Sequence, residues 1–300
     1  MAEATRETRQ PVAVEAKTNA VSRRRGRSRG MIGQILLVVT LVAILALSFV
    51  TIALMVFLSL KDNGQIYGRF WSLPDPIRWG NYRDGWFTMR RYIFNSLVYS
   101  LASVVGVVFL SSLSGYVFAR HRFPGKELIY VVILALLMVP GILTLIPTFV
   151  LVRQLGLINT PWALILPWTA GGQIFGILLC RSFFATLPPD LFDAAKVDGA
   201  SEFEQYFRIA MPLSWPIMVT LAIMHLVGSY NDFIWPLLAI SDQNIQVVTV
   251  GLTQFRNEFG TINWGPRMAA YAVSSLPLVI LFAFGMKFYV RGLTSGAVKG

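Results

Sequence analysis

Residues 193–216 read DAAKVDGASEFEQYFRIAMPLSWP. Six charged side chains fall in this stretch, yet it joins two of the most apolar segments of the chain. Its local signals are those of two short helices with an elbow. Pro188 and Pro189 precede Asp190, which suits the cap of a first helix, with Asp193 in the first turn on the favourable side of the helix dipole. Ala194, Ala195 and Lys196 favour helix, and Gly199 is a natural stop. Ser201 followed by Glu204 reads as a capping box for a second helix. There Phe203 and Phe207, four residues apart, share one face. Pro212 and Pro216 end that helix and restart the chain.

What flanks the stretch decides its setting. The 300 residues are 55% hydrophobic and 14% charged, with a mean hydropathy of +0.60. A soluble domain carries roughly 25% charged residues. Charge-free runs cover 30–60, 92–119, 128–152, 154–180 and 268–286, and 209–240 is broken only by Asp232. Each approaches the about 20 apolar residues that cross a bilayer. Backbone groups in lipid must pair within their own segment, so these runs are expected to be helices. The predicted fold is an all-α integral membrane protein with six transmembrane helices, at about 33–60, 92–119, 128–152, 161–183, 213–240 and 268–290. The first is too long for the apolar core of a signal peptide and is expected to be a retained anchor. SRRRGRSRG (22–30) reads as a basic flank, and residues 1–20 as a disordered part of a tail over 1–30. The membrane-spanning body is then 31–300.

Six spans put both termini on one side. That side holds 17 Lys and Arg and the other nine, so the termini are expected in the cytoplasm. The eight basic residues of 1–30 decide this, since the rest divide nine to nine. The charge of +11 is therefore an orientation signal and requires no nucleic acid. Residues 188–212 then face the cytoplasm, and the loops 61–91 and 241–267 face outward. Trp71, Trp79, Trp86, Trp235 and Trp264 near the span ends suit an interfacial belt. The lone cysteine, Cys180, excludes an internal disulfide and reads as a small packing residue.

A slack linker would carry neither caps nor aromatics at helical spacing, and a helix lying on a membrane would carry bulky anchors in place of Ala194 and Ala195. The 190–212 stretch is therefore read as a docking element. The pattern resembles the EAA loop of ATP-binding-cassette importer permeases, EAA-x3-G-x9-I-x-LP. Asp193, Ala194, Ala195, Gly199, Ile209 and Pro212 stand at its positions, with Asp for the first Glu and Met211 for Leu. DGA (Asp198, Gly199, Ala200) with Phe207, YNDFIWPLL (230–238) and the ending YVRGLTSGAVKG are similar to the carbohydrate subgroup related to maltose permeases. The likeness covers roughly 31–300. It implies a six-span permease of the type I importer fold in a prokaryotic plasma membrane. The implied partners are a cytoplasmic ATPase dimer gripping 188–212, a second permease subunit, a different chain, and an extracytoplasmic sugar-binding protein. The implied cargo is a sugar or oligosaccharide.

No phosphate-binding loop is present, since Gly125-Lys126 is followed by Glu127 and lacks the upstream glycine. Nor is there HExxH, GxSxG or a Cys/His cluster. The chain is expected to be no enzyme and to need no cofactor or metal. Ionisable groups inside spans are candidates for a path, which marks Asp232 with Asn231 and His225. Two readings stand for Asp232, the path or a pair with a basic loop residue near the outer interface. For His225 an interhelical hydrogen bond is the plainer reading. Gly172 and Gly176 read as close helix packing, and Pro140, Pro147 and Pro167 as kinks. The loop 241–267 either touches a binding protein or caps the vestibule. Two rivals remain: an importer of another solute such as a glycerol phosphodiester, and a secondary carrier, which would show repeated halves.

Overall fold

The computed structural model describes residues 13–255 and 260–295, with side chains over 33–255 and 260–286. It divides into two compact units, 1–57 and 58–300. The first is essentially one helix, α1 (Ala13–Ser59), whose stretch Gly33–Ser59 is apolar on every face. Its few hydroxyls are satisfied within it: Thr40, Ser48 and Thr51 donate to the carbonyls four residues earlier at 2.8–3.1 Å. The helix begins at Ala13, so residues 13–20, expected to be disordered, are helical. Helix propagates cheaply from a formed span through residues such as Ala, Glu, Lys and Arg. Residues 1–12 lie outside the described part.

In the second unit every regular segment is helical among the described residues. The order is α2 (Asn63–Gly68), α3 (Gly80–Arg120), α4 (Lys126–Ala135), α5 (Gly141–Gln154), α6 (Trp162–Phe184), α7 (Pro189–Val197), α8 (Glu202–Gln205), α9 (Met211–Leu213), α10 (Trp215–Tyr230), α11 (Ile234–Ala239), α12 (Val248–Gly251) and α13 (Trp264–Ser295). The central helix is α3, which packs against α6, α10 and α13. Small residues set the α3–α6 contact. A Cβ on Gly115 would stand 2.5 Å from that of Cys180, and one on Gly176 would collide with Ser111. Both backbones can approach only because these side chains are missing. Gly176 and Gly172 thus do pack helices, and Cys180 is a buried packing residue.

Among the described residues four helices are long and apolar enough to cross a membrane, or up to six if each of two bent pairs is one span. The first bend is at Pro140, where the sequence marks a kink, and the second is between Pro212 and Pro216, where the sequence ends one helix and restarts the chain. Lys126–Met138 and Gly141–Gln154 meet at 103°. Val139 is extended there, as the residue before Pro140 must be, because the proline ring excludes the helical region from its predecessor. Pro147 and Pro167, by contrast, lie inside continuous helices. The segment 202–213 meets α10 at 75°, across Ser214 and ahead of Pro216. α10 stops at Tyr230, about ten residues before the expected end of its span. α3 starts at Gly80, well before Tyr92: its polar first turns continue the helix outside the apolar run.

Two expected outer loops are built, not slack. Asp62 caps α2 in a reciprocal box with Gln65 and pairs with Arg78 at 3.0 Å. The Gln65 N–H, then Arg78, hold its carboxyl below the usual carboxylate range. The Lys61 ammonium is buried and donates to the carbonyls of Arg69 and Phe70 at 3.1 and 2.7 Å. In the other loop, Asn95 donates to the carbonyls of Asn244 and Gln246, and Ser96 accepts from the Val248 N–H. Residues 246–248 are buried against α3 as a result. Trp235, expected in an interfacial belt, is buried instead and donates to the Ala163 carbonyl at 2.9 Å. Trp71, Trp79 and Trp86 are exposed.

Candidate functional site

The 189–213 element forms by the local rules legible in its sequence, with two changes. Pro188 takes the N-cap and Pro189 the first helical position, so Asp190 lies in the first turn and caps nothing, and Asp193 falls in the second turn. At the elbow Asp198 closes α7 and Gly199 adopts φ +79°. The Ala200 N–H donates to the Ala195 carbonyl at 2.9 Å and the Gly199 N–H to that of Lys196 at 3.1 Å. These two bonds are the Schellman closure, which needs a left-handed residue at the position of Gly199. Ser201 and Glu204 then cap each other at the start of α8. From Tyr206 to Ala210 the chain widens into one π-helical turn before Pro212 opens α9.

The element has a held face and an open face. On the held face Phe192 and Tyr206 are buried beside Tyr116 of α3 and Phe184 of α6. The Tyr206 hydroxyl meets Ser112 Oγ at 2.6 Å. The Arg120 guanidinium stacks 4.0 Å over the Phe192 ring and donates to the Leu187 carbonyl at 2.7 Å. Glu202 adds ties to His121 at 3.5 Å and Lys196 at 3.7 Å. On the open face stand Val197, 88% exposed, and Phe203, 70% exposed, with Leu191 and Phe207. Asp193, Ala194 and Pro212 are also exposed, while Ala195 and Ile209 are half-buried. The element is thus a plate, held on one side and apolar on the other. The sequence did not reveal the anchors, because Tyr116, Phe184 and Phe192 meet only in the folded chain.

The second constellation is a cavity of about 520 Å³ between α6 and α10. From α6 come Trp168, Gly172 and Phe175, and from α10 come His225 and Ser229, with Asp232 just past its end. Among the described residues Asp232 pairs with no cation: its Oδ2 accepts from the Trp168 indole N–H at 2.7 Å, and its carbonyl accepts from Thr249 at 2.6 Å. Arg256, a basic residue of the 241–267 loop, lies outside the described residues. His225 Nε2 and Ser103 Oγ of α3 share a hydrogen bond of 2.7 Å, the interhelical role expected of it. Asn231 is separate from both. It is exposed and donates to the Val227 carbonyl of its own helix at 2.8 Å. Below the cavity Ser111 donates to Gln173 at 2.8 Å and Thr169 to Ser103 at 3.4 Å, a polar seam that the sequence carries as Ser103, Ser111 and Ser112. Among the described residues no three His, Cys, Asp or Glu side chains come together as a metal site would need.

Residues 107–295 match the family model described as binding-protein-dependent transport system inner membrane component. The chain belongs to that family. A probable ABC transporter permease of Bacillus subtilis, YurM, is 36% identical over 82% of this chain and 82% of its own. The diacetylchitobiose uptake system permease NgcG of Streptomyces coelicolor is 32% identical over 80% and 81%. Among solved structures, a bacterial ABC transporter for import of the acidic polysaccharide alginate superposes with a TM-score of 0.75. That likeness covers 89% of this chain and 98% of the other at 20% identity, which supports the type I permease fold. As a binding-protein-dependent permease, the chain is a translocation component of a multi-pass kind.

Proposed function

We propose that this permease moves a neutral saccharide, with energy supplied by separate ATPase subunits bound to the open face of the 189–213 element. The observation that carries the cargo is the α6–α10 cavity. It offers the Trp168 and Phe175 rings, on which the C–H face of a pyranose can stack, and the Asp232 carboxylate, which can accept sugar hydroxyls. Among the described residues no Lys or Arg lines it. A glycerol phosphodiester would bring a negative charge against an unneutralised carboxylate in a weakly polar setting, which is costly. The name of the chitobiose relative points the same way.

The rest of the reading follows the family. The termini lie in the cytoplasm, held there by the basic residues of 1–30. ATPase closure drags the plate, and Gly199, Phe192 and Tyr206 pass the displacement to α3 and α6, so that the cavity opens alternately to each side. A second permease chain completes the path, and an extracytoplasmic binding protein delivers cargo. The test is the assembly recovered from native membranes and rebuilt in liposomes. ATP-dependent uptake of neutral di- and oligosaccharides is expected, reduced at least tenfold by Asp232→Asn, with no uptake of sn-glycerol 3-phosphate. Uptake without any ATPase, or of the phosphate ester in preference to sugars, overturns the proposal.

A further inference from the structure

A second cavity, of about 370 Å³, lies behind the plate, between the end of α3 with the 121–126 turn on one side and α7 with α8 on the other. Its character is opposite to that of the cargo cavity. Arg120, Arg122, Lys126 and Lys196 line it, with His121, against only two carboxylates, Asp193 and Glu202. Glu202 is engaged with His121 and Lys196. Arg120 is committed through one Nη to the Leu187 carbonyl, but its buried Nε has no hydrogen-bond acceptor in the protein. Lys126 donates to the His121 carbonyl at 3.0 Å. Four cations gathered around a polar hollow with two carboxylates suit a ligand with several anionic oxygens.

We propose that this cavity binds a phosphate-type anion, which bridges the α3 end and the 189–213 plate. Its walls belong to two separate parts of the chain: the frame carries Arg120, Arg122 and Lys126, and the plate carries Lys196. An anion in the cavity ties one to the other and resists their separation. The same chemistry has two sources, phosphate in solution or the headgroup of an acidic lipid reaching in from the membrane surface. Only the lipid arm leans on the orientation proposed above.

The experiment uses the full-length chain in its purified membrane assembly, in two arms. In the first, inorganic phosphate is titrated calorimetrically in phosphate-free neutral-lipid nanodiscs, with chloride at constant ionic strength. In the second, retention of phosphatidylglycerol over phosphatidylcholine is read by native mass spectrometry. Saturable phosphate binding assigns the soluble source, and selective lipid retention without it assigns the headgroup. Removing two charged contacts with Arg122→Gln and Lys196→Gln together is expected to weaken whichever is found by about a hundredfold, tenfold for each charge-assisted bond lost. Asp193→Asn removes a repelling carboxylate and is expected to tighten it severalfold, a gain that damaged folding cannot mimic. Binding of neither probe, or binding unchanged in the double variant, overturns the proposal.

Discussion

In the proposed mechanism Gly199 is the position at which backbone conformation and transport meet most directly. Its φ of +79° is left-handed, and a Cβ there would find no atom within 4 Å, so a substitution is opposed by the backbone alone. An L-residue in that region costs roughly 1–2 kcal/mol. Asn tolerates it best and a β-branched residue worst. The series Gly199→Asn, Ala and Val therefore spans about 2 kcal/mol against the two elbow bonds to Ala195 and Lys196, and each 1.4 kcal/mol is a factor of ten in the intact elbow. The assay is sugar taken up per ATP hydrolysed in liposomes carrying the whole assembly. Asn should stay near the parent, Ala should fall severalfold, and Val should hydrolyse ATP with little uptake. Gly156 is a matched control: φ is +69°, its surroundings are equally open, and it lies at the end of α5 away from the plate. Gly156→Val should lower stability and leave the ratio alone. Equal ratios for Gly199→Val and Gly199→Asn would refute the elbow mechanism.

Gly176→Ala should destabilise the chain by about 1–3 kcal/mol, since its methyl meets Ser111 across α3–α6, whereas Gly171→Ala enters open space and should be neutral. Detergent melting of the two variants checks this. Tyr206→Phe removes the 2.6 Å bond to Ser112 and should cost about 1 kcal/mol in the same melt. Asp62 has a lowered pKa in the folded chain, so the stability it lends is present above the ordinary carboxylate pKa and lost as pH falls through the folded value. Protease cleavage of the 61–79 loop should thus rise on acidification in the parent and be high at every pH in Asp62→Asn.

The apolar runs, the caps at Ser201 and Glu204 and the stop at Gly199 were legible because each depends on neighbours a few residues away. Pro140 signalled a kink, but whether a proline breaks a span or rides within it, as Pro147 does, depends on what the surrounding helices can satisfy. The early end of α10 has the same origin: the pairing of Asp232 with Trp168 joins residues 64 apart. The polar stretch at 246–248 reads as a surface loop and is buried only because Asn95 and Ser96 supply its hydrogen bonds. Arg120 and Phe192 showed nothing alone, since a stacked guanidinium is a property of the fold.

The length of α3 has a mechanical meaning. Its 41 residues extend about 60 Å, roughly twice the hydrocarbon thickness. It is clamped partway along by Asn95 and Ser96 to the 244–248 segment, and at its last turns by Tyr116 and Arg120 to the plate. Between those clamps there is no proline and no break in the helix. The helix is thus a pushrod: a tilt of about 10° at one clamp moves the other by about 6 Å over the roughly 35 Å between them. In the proposed mechanism, delivery of cargo at one surface and nucleotide state at the other then become readings of a single angle.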